Sequence, residues 1–232
     1  MSVRPALAAA LALACVMTAG RAEAAPPEDR LLPVELYTTD KAKTLGATHR
    51  GALRALNAAV YHCIPWVETQ KHTIGFFRPK NTAGDDRYLS IRIYIEQDPS
   101  PEFARFRVEE RASAMFSRYV GAMLLRMTKD PAVAADATLD GFTVILEWMK
   151  QAPRAPGDRP VHETIAVFVE KPVALDYLAG NIPITEVAAR ARVLAFDGET
   201  PLGPLRLAVW DDNFVSTFKV SNYVLEPGVT CG

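Results

Sequence analysis

The segment from Tyr88 to Glu96 (YLSIRIYIE) alternates apolar and polar side chains along its whole length. A period of two places successive side chains on opposite faces of a β-strand. One face of this strand is apolar and carries Leu89, Ile91, Ile93 and Ile95. A strand with one apolar and one polar face is typical of an antiparallel sheet that covers a core on one side. We therefore predict an antiparallel sheet whose apolar face is covered by other elements.

Three further segments have strand character. Gly141 to Lys150 (GFTVILEWMK) and Val161 to Lys171 (VHETIAVFVEK) alternate in the same way, and Pro-rich residues 151–160 lie between them. His72 to Arg78 (HTIGFFR) is a weaker strand, separated from the Tyr88 strand by the turn-forming residues KNTAGDD. The pattern predicts two pairs of neighbouring strands.

Two amphipathic helices are expected between these strands. The first runs from about Lys43 to Glu68, where Leu53, Leu56, Val60 and Cys63 recur at helical spacing and Pro65 bends or ends the helix. The second starts at Pro101, with Ser100 as its cap, and runs to about Thr128. Its inward stripe contains Phe103, Phe106, Ala112, Met115, Phe116, Tyr119, Met123 and Met127, and Arg111 lies off it.

The C-terminal part of the chain is less regular. Residues from Ile184 to Ala195 fit either a helix or a strand, and their alanine content favours a helix. Leu205 to Trp210 and Phe214 to Val220 are expected to form a hairpin. Helices followed by pairs of strands predict an α+β fold: an antiparallel sheet built from β-hairpins, with long amphipathic helices packed on one face.

The first 24 residues have the pattern of a secretory signal peptide. Arg4 precedes an apolar run from Ala6 to Ala19, and Ala22-Glu23-Ala24 supplies the small residues that signal peptidase recognises. The run is too short for a membrane span, which needs roughly 20 apolar residues. A lipoprotein acylated at Cys15 is a less favoured alternative. We predict a periplasmic or extracellular protein.

The remaining chain is long enough for one domain. Residues 25–40 are expected to form an irregular arm and residues 41–232 a single α+β domain, in which residues 171–232 can form a smaller C-terminal lobe. No later segment has the pattern of a membrane span, because two arginines interrupt the apolar stretch from Ala112 to Met127.

Composition and charge exclude several classes of protein. The 232 residues are 49% hydrophobic and 23% charged, which are ordinary proportions for a globular protein. The 26 Lys and Arg residues nearly balance the 27 Asp and Glu residues, so the net charge is −1. Proteins dedicated to nucleic-acid binding usually carry a basic patch, so we predict no nucleic-acid partner.

Cys63 and Cys231 are the two cysteines that remain after removal of the signal peptide. In an oxidising compartment such a pair favours a disulfide, and no Cys/His spacing typical of a metal site is present. A bond between them would close most of the chain into a loop and stabilise it by about 4–5 kcal/mol in the chain-entropy model. A reactive thiol or a metal ligand is the alternative.

No catalytic motif is recognisable. GxSxG, CxxC and HExxH are absent, and the acidic clusters Asp85-Asp86, Asp197-Gly198-Glu199 and Asp211-Asp212-Asn213 are typical of turns. We therefore predict neither a metal nor a cofactor. A hydrolase with a site assembled from His62, His72 and a turn aspartate remains an alternative hypothesis.

One feature favours binding. Met115, Tyr119 and Met123 of the second helix would face Trp148 of the sheet, and a flexible layer of this kind can hold a small apolar ligand. Arg92 and Tyr94 lie on the polar face of their strand, which offers a second surface for a partner. We predict a soluble, non-enzymatic binding or accessory protein, with a small apolar ligand or an envelope protein as its partner.

Overall fold

The computed structural model describes residues 25–208 and Cys231, with gaps at residues 65, 81, 96–100, 152–154 and 156–158. Its helices are α1 (Asp40–Thr48), α2 (Arg50–Cys63), α3 (Pro101–Arg105), α4 (Val108–Met127), α5 (Pro131–Ala135), α6 (Lys171–Leu178) and α7 (Ile184–Arg190). Its strands are β1 (Val67–Thr69), β2 (Gly75–Phe77), β3 (Tyr88–Ile95), β4 (Gly141–Gln151), β5 (Val161–Glu170), β6 (Arg192–Asp197) and β7 (Thr200–Pro204). The predicted signal peptide lies outside the described residues.

The strands form one mixed sheet in the order β1-β3-β4-β5-β6-β7, and β2 also pairs with β3. β3 and β4 are parallel, with Tyr88 opposite Gly141 and Ile95 opposite Trp148, whereas the other named pairs are antiparallel. A parallel pair needs a long crossover, and residues 96–140, which include α4, supply it. The α+β class is confirmed, but the sheet is not built from hairpins alone.

The helices pack against the face of the sheet that the sequence predicts to be apolar. α4 and α6 contact β4, and α2 contacts β1. The side chains of this face are almost fully buried in one core: Leu89, Ile91, Ile93, Ile95, Phe142, Val144, Leu146, Trp148, Ile165, Val167 and Val169. Burial of apolar surface, at roughly 25 cal/mol per Å², holds the helices on the sheet. The opposite face is called the outer face below.

The helix predicted between residues 43 and 68 is interrupted near its N-terminal end, at His49. α1 and α2 meet at His49, whose φ of −99° and ψ of 17° depart from helical values. The buried imidazole of His49 contacts Asp136 at 2.7 Å. This long-range contact fixes the junction and was not evident from local periodicity.

The same prediction also extends too far toward the C-terminus. α2 ends at Cys63, and Val67–Thr69 forms β1, which pairs with β3. Strand pairing therefore prevails over the predicted helix at Val67 and Glu68. Pro65, the predicted helix breaker, lies outside the described residues.

The helix predicted from Pro101 to Thr128 forms as α3 and α4. All the predicted stripe residues except Phe106 are buried, as the pattern indicates. The prediction for Arg111 is wrong: this side chain is buried because its Nε and Nη2 donate to the carboxylate of Glu163 at 2.6 and 2.5 Å. An ion pair inside the core thus joins α4 to β5.

The C-terminal elements join the main sheet. The segment from Ile184 to Ala195 divides into helix α7 and the start of strand β6, so neither single interpretation describes it fully. β6 pairs with β5, and β7 pairs with β6. The strand predicted from Leu205 does not form within residues 205–208. Residues 209–230, with the rest of the predicted hairpin and the Asp211-Asp212-Asn213 cluster, lie outside the described residues.

The predicted disulfide is present. Cys63 at the end of α2 is bonded to Cys231, with Cα atoms 5.5 Å apart and a sequence separation of 168. The bond ties the C-terminus to the helical layer, and a structural disulfide is consistent with an oxidising compartment. Among the residues that the structure describes, no helix combines the length and apolar character needed to cross a bilayer.

Candidate ligand-binding site

A trough of about 670 Å³ lies on the outer face of the sheet. Its floor comes from four neighbouring strands and consists of Ser90, Arg92, Thr143, Ile145, Thr164, Ala166, Phe168, Leu194 and Phe196. Phe77 and residues 78–80 form one wall, and the turn at Gly198 and Glu199 lines another side of the trough. Small-molecule sites typically have volumes of about 300–1,000 Å³ and mix apolar walls with a few polar groups. The trough has both properties.

Two hydroxyl groups, which belong to largely buried residues, lie side by side on this floor. Ser90 of β3 is directly opposite Thr143 of β4 in the parallel register. The two residues are only 5% and 4% exposed, and both line the trough. Within the described part of the chain, neither hydroxyl forms a hydrogen bond to protein. Neither oxygen is among the buried atoms that lack a partner, so both hydroxyls are open to the trough and can bind a polar atom of a ligand.

Residues 78–80, called the crossing segment below, extend from β2 over the outer face. The Nη1 of Arg192 on β6 donates to the carbonyl oxygen of Lys80 at 3.0 Å. The same guanidinium lies 4.5 Å from the centre of the Phe168 ring. Arg192 therefore holds the crossing segment over the sheet and packs against the aromatic ring of Phe168 on the floor of the trough.

The charged groups around the trough are distributed unevenly. Arg78 and Lys80 line it from the crossing segment, and neither pairs with an acidic side chain in the described residues. Arg92 on the floor is neutralised by Glu147, which its Nε and Nη2 reach at 3.1 and 2.6 Å. Glu199 lines the trough from the distant turn. Among the lining residues, the crossing-segment end is thus the cationic end, and the carboxylates of Glu170 and Asp86, whose charges act on Tyr88, lie outside the lining.

A polar cluster continues the outer face beyond the trough. Glu147 accepts hydrogen bonds from Gln70 at 2.7 Å and from Arg92, and the Nδ1 of His162 lies 3.0 Å from its other oxygen. A carboxylate accepts here, so His162 donates through Nδ1, and its buried Nε2 has no hydrogen-bond partner among the residues that the structure describes. The cluster holds Arg92 in place. It borders a second, smaller cavity that Tyr94 also lines.

The four residues predicted to hold an apolar ligand lie inside the core instead of at the trough. Met115, Tyr119 and Met123 of α4 and Trp148 of β4 are at most 5% exposed. Trp148 donates from Nε1 to the buried carboxylate of Glu163 at 3.1 Å. A ligand between helix and sheet would have to displace packed side chains. The binding role of these four residues stays a prediction.

The histidines are spread over different parts of the fold. His62 lies on α2 beside the ring of Tyr61, with centroids 4.9 Å apart, whereas His72 lines the trough and has a φ of 56°. In the described ranges, no three His, Cys, Asp or Glu side chains are placed to hold a metal ion. The hydrolase site built on His62 and His72 therefore stays a hypothesis.

The acidic clusters within the described residues lie in turns or at strand ends. Asp197 ends β6 and its carboxylate binds Lys150 at 2.8 Å, and the following Gly198 has a φ of 57°, which favours glycine. Asp85 pairs with Arg87, and hydrogen bonds from Thr39 and Arg87 outweigh burial and lower its pKa. These contacts give the carboxylates structural roles.

The contact between His49 and Asp136 was not predicted from the sequence. Burial raises the pKa of Asp136, but hydrogen bonds from Thr138 and His49 outweigh it and lower this pKa to about 2. Thr138 donates from both its backbone N–H and its hydroxyl, at 2.8 and 2.6 Å. The pair joins the α1–α2 junction to the segment after α5, and its partners are 87 residues apart. No local pattern signals such a contact.

Comparison of the chain with known proteins gives no match to a protein-family model, to a curated protein or to a solved structure.

Proposed function

We propose that this protein is an exported, non-enzymatic binding protein that holds a small ligand in the outer-face trough. The observation that carries the proposal is the pair of hydroxyls of Ser90 and Thr143, which face the cavity and have no partner in the described protein. Two adjacent groups of this kind on a preformed floor are a recognition element for a polar ligand atom.

The shape of the site favours a small molecule over a flat protein surface. The crossing segment and the turn at Gly198 and Glu199 rise above the floor, so the lined space is concave. A volume of about 670 Å³ lies within the range of about 300–1,000 Å³ that is usual for small-molecule sites. A protein partner would need a broader surface, typically about 800 Å².

Export is supported by two independent features. The first 24 residues carry the signal-peptide pattern, and the Cys63–Cys231 bond suits an oxidising compartment.

The described residues that flank 209–230 both contact helices: Ala208 donates its backbone N–H to the Ser113 hydroxyl at 3.1 Å, and Cys231 is bonded to Cys63. Neither flank lies among the residues that line the trough.

The test is native mass spectrometry of protein purified from an oxidising compartment. Ala166 lies in the centre of the floor, so Ala166→Trp should fill the trough, and Ala189→Trp at an exposed position of α7 is the matched control. We expect a small adduct on the wild type and on Ala189→Trp, and none on Ala166→Trp. An adduct that survives in Ala166→Trp, or a wild type without any adduct, contradicts the proposal.

A further inference from the structure

The strand register places polar lining residues at one end of the trough and apolar lining residues at the other. Ser90, Thr143, Phe168 and Arg192 form one row across four strands, because each residue is directly opposite the next. Arg192 binds the carbonyl oxygen of Lys80, so the crossing segment lies over this same row. The two unpartnered hydroxyls and the cations of the crossing segment therefore belong to one end of the trough.

The next rows of the floor are mainly apolar. Ile145, Ala166 and Leu194 are opposite one another across β4, β5 and β6, and Phe196 follows, opposite Thr164. Arg92 shares this region, but Glu147 compensates its charge. Apolar surface of this kind attracts a hydrocarbon chain, at roughly 25 cal/mol per Å² removed from water.

From this arrangement we infer that the ligand is an aliphatic carboxylate, whose carboxylate group binds Ser90, Thr143, Arg78 and Lys80 and whose hydrocarbon chain lies along the floor toward Phe196. This inference rests on the proposed function of the trough and adds the chemical class and the orientation of its ligand. Hydroxyl donors and two cations without acidic partners complement a carboxylate, which only accepts hydrogen bonds.

The acidic residue of the lining fixes the orientation. Glu199 follows β6 at the far end, where Gly198 donates its backbone N–H to the carbonyl oxygen of His162 at 2.8 Å. An anionic group placed beside Glu199 would be repelled, and the same group at the crossing segment is attracted. An aliphatic amine would prefer the reverse orientation, beside Glu199.

Three probes with the same chain separate these cases. Decanoate, decan-1-ol and decylammonium are titrated by calorimetry at pH 7.5 into the full chain with its disulfide intact. We expect decanoate to bind about tenfold or more tightly than the alcohol, and the amine to bind most weakly. Equal affinity for all three, or a preference for the amine, overturns the inference.

A charge-matched pair of variants assigns the effect to the crossing segment. Arg78→Gln/Lys80→Gln should weaken decanoate binding about tenfold and leave decan-1-ol binding within about twofold. The control Lys43→Gln/Arg105→Gln removes the same charge from exposed positions outside the trough and should change neither affinity. An equal loss of decanoate affinity in both double variants overturns the inference.

The two proposals fail in different ways. If all three probes bind equally and Ala166→Trp abolishes their binding, the trough is a binding site and only the ligand class is wrong. If no probe binds the wild type, the carboxylate inference is overturned, and the adduct on the wild type and on Ala166→Trp decides the proposed function independently.

Discussion

Arg192 on β6 binds the carbonyl oxygen of Lys80, a residue 112 positions earlier in the chain, at 3.0 Å. Lys80 belongs to the crossing segment, which leaves the sheet at β2, whereas β6 lies near the other side of the sheet. This single hydrogen bond closes the cationic end of the trough. The shape of the proposed site thus depends on a contact far from the apolar core.

Replacement of Arg192 by methionine should loosen the crossing segment. The variant loses the hydrogen bond to Lys80 and the contact with Phe168, so we expect faster amide hydrogen exchange in residues 78–80 and about threefold to tenfold weaker decanoate binding. Hydrogen–deuterium exchange and calorimetry measure the two effects. Arg190→Met, on the exposed end of α7, is the matched control. Unchanged exchange in Arg192→Met would contradict this role.

The buried ion pair of Arg111 and Glu163 should be essential for stability. In the described part of the chain, Arg111→Met leaves the buried carboxylate of Glu163 with only Trp148 and Lys150 as polar partners, at 3.1 and 3.5 Å. We expect a loss of about 3–5 kcal/mol in the free energy of unfolding, measured by urea denaturation.

The double variant Arg111→Met/Glu163→Gln tests the cause. The glutamine amide keeps an acceptor for Trp148 and removes the unpaired charge, so most of the lost stability should return. A double variant as unstable as Arg111→Met alone would show that the guanidinium packing, and not the buried charge, accounts for the effect.

The pKa of Asp136 predicts how stability depends on pH. A native pKa of about 2, against an ordinary value of 3.8, means that the unfolded chain binds the proton first as the pH falls. The stabilisation is therefore fully present above about pH 5 and is lost between about pH 5 and pH 2, with an amplitude of about 1 kcal/mol after solvent screening.

Asp136→Asn should remove that part of the acid sensitivity. Urea unfolding at a series of pH values should give a flatter decline between pH 5 and pH 2 than in the wild type. Asp176→Asn on α6, which removes a carboxylate elsewhere, should retain the wild-type slope. Equal slopes in the wild type and in Asp136→Asn would show that the hydrogen bonds from Thr138 and His49 do not perturb this group.

Loss of the disulfide should destabilise the whole chain. The bond closes a loop with a sequence separation of 168, so Cys63→Ser/Cys231→Ser should lower the free energy of unfolding by up to about 4–5 kcal/mol. Differential scanning calorimetry of the oxidised wild type, the reduced wild type and the double variant measures the effect. Identical melting temperatures in the three samples would contradict a stabilising role.

The side chains that face the core could be predicted from the sequence because their alternation along each strand is a local pattern. Alternation along Tyr88–Ile95, Gly141–Gln151 and Val161–Glu170 separates the buried from the outer side chains without knowledge of the strand order. The disulfide was predictable because only two cysteines follow the predicted signal peptide. These features depend on neighbouring residues or on composition.

The trough depends on pairing between distant segments, which no local pattern reveals. Ser90 and Thr143 are adjacent only because β3 and β4 are parallel, and Phe168 joins them through the antiparallel register of β5. Arg92 was recognised as an outer-face residue, but its compensation by Glu147 requires the same register. The sequence predicts a ligand site at the Met-rich helix because a packed core and a flexible ligand-binding layer have the same pattern of apolar residues.

Methyl-resolved NMR during a titration with decanoate tests the central claim most directly. The outer-face trough predicts shifts of the methyl signals of Thr143, Ile145, Ala166 and Leu194, which line it, with smaller changes in the core. Met115 and Met123, buried between helix and sheet, report on the competing site. Shifts confined to the four trough methyls support the account. Shifts centred on the two methionines would contradict it and place the ligand between α4 and the sheet.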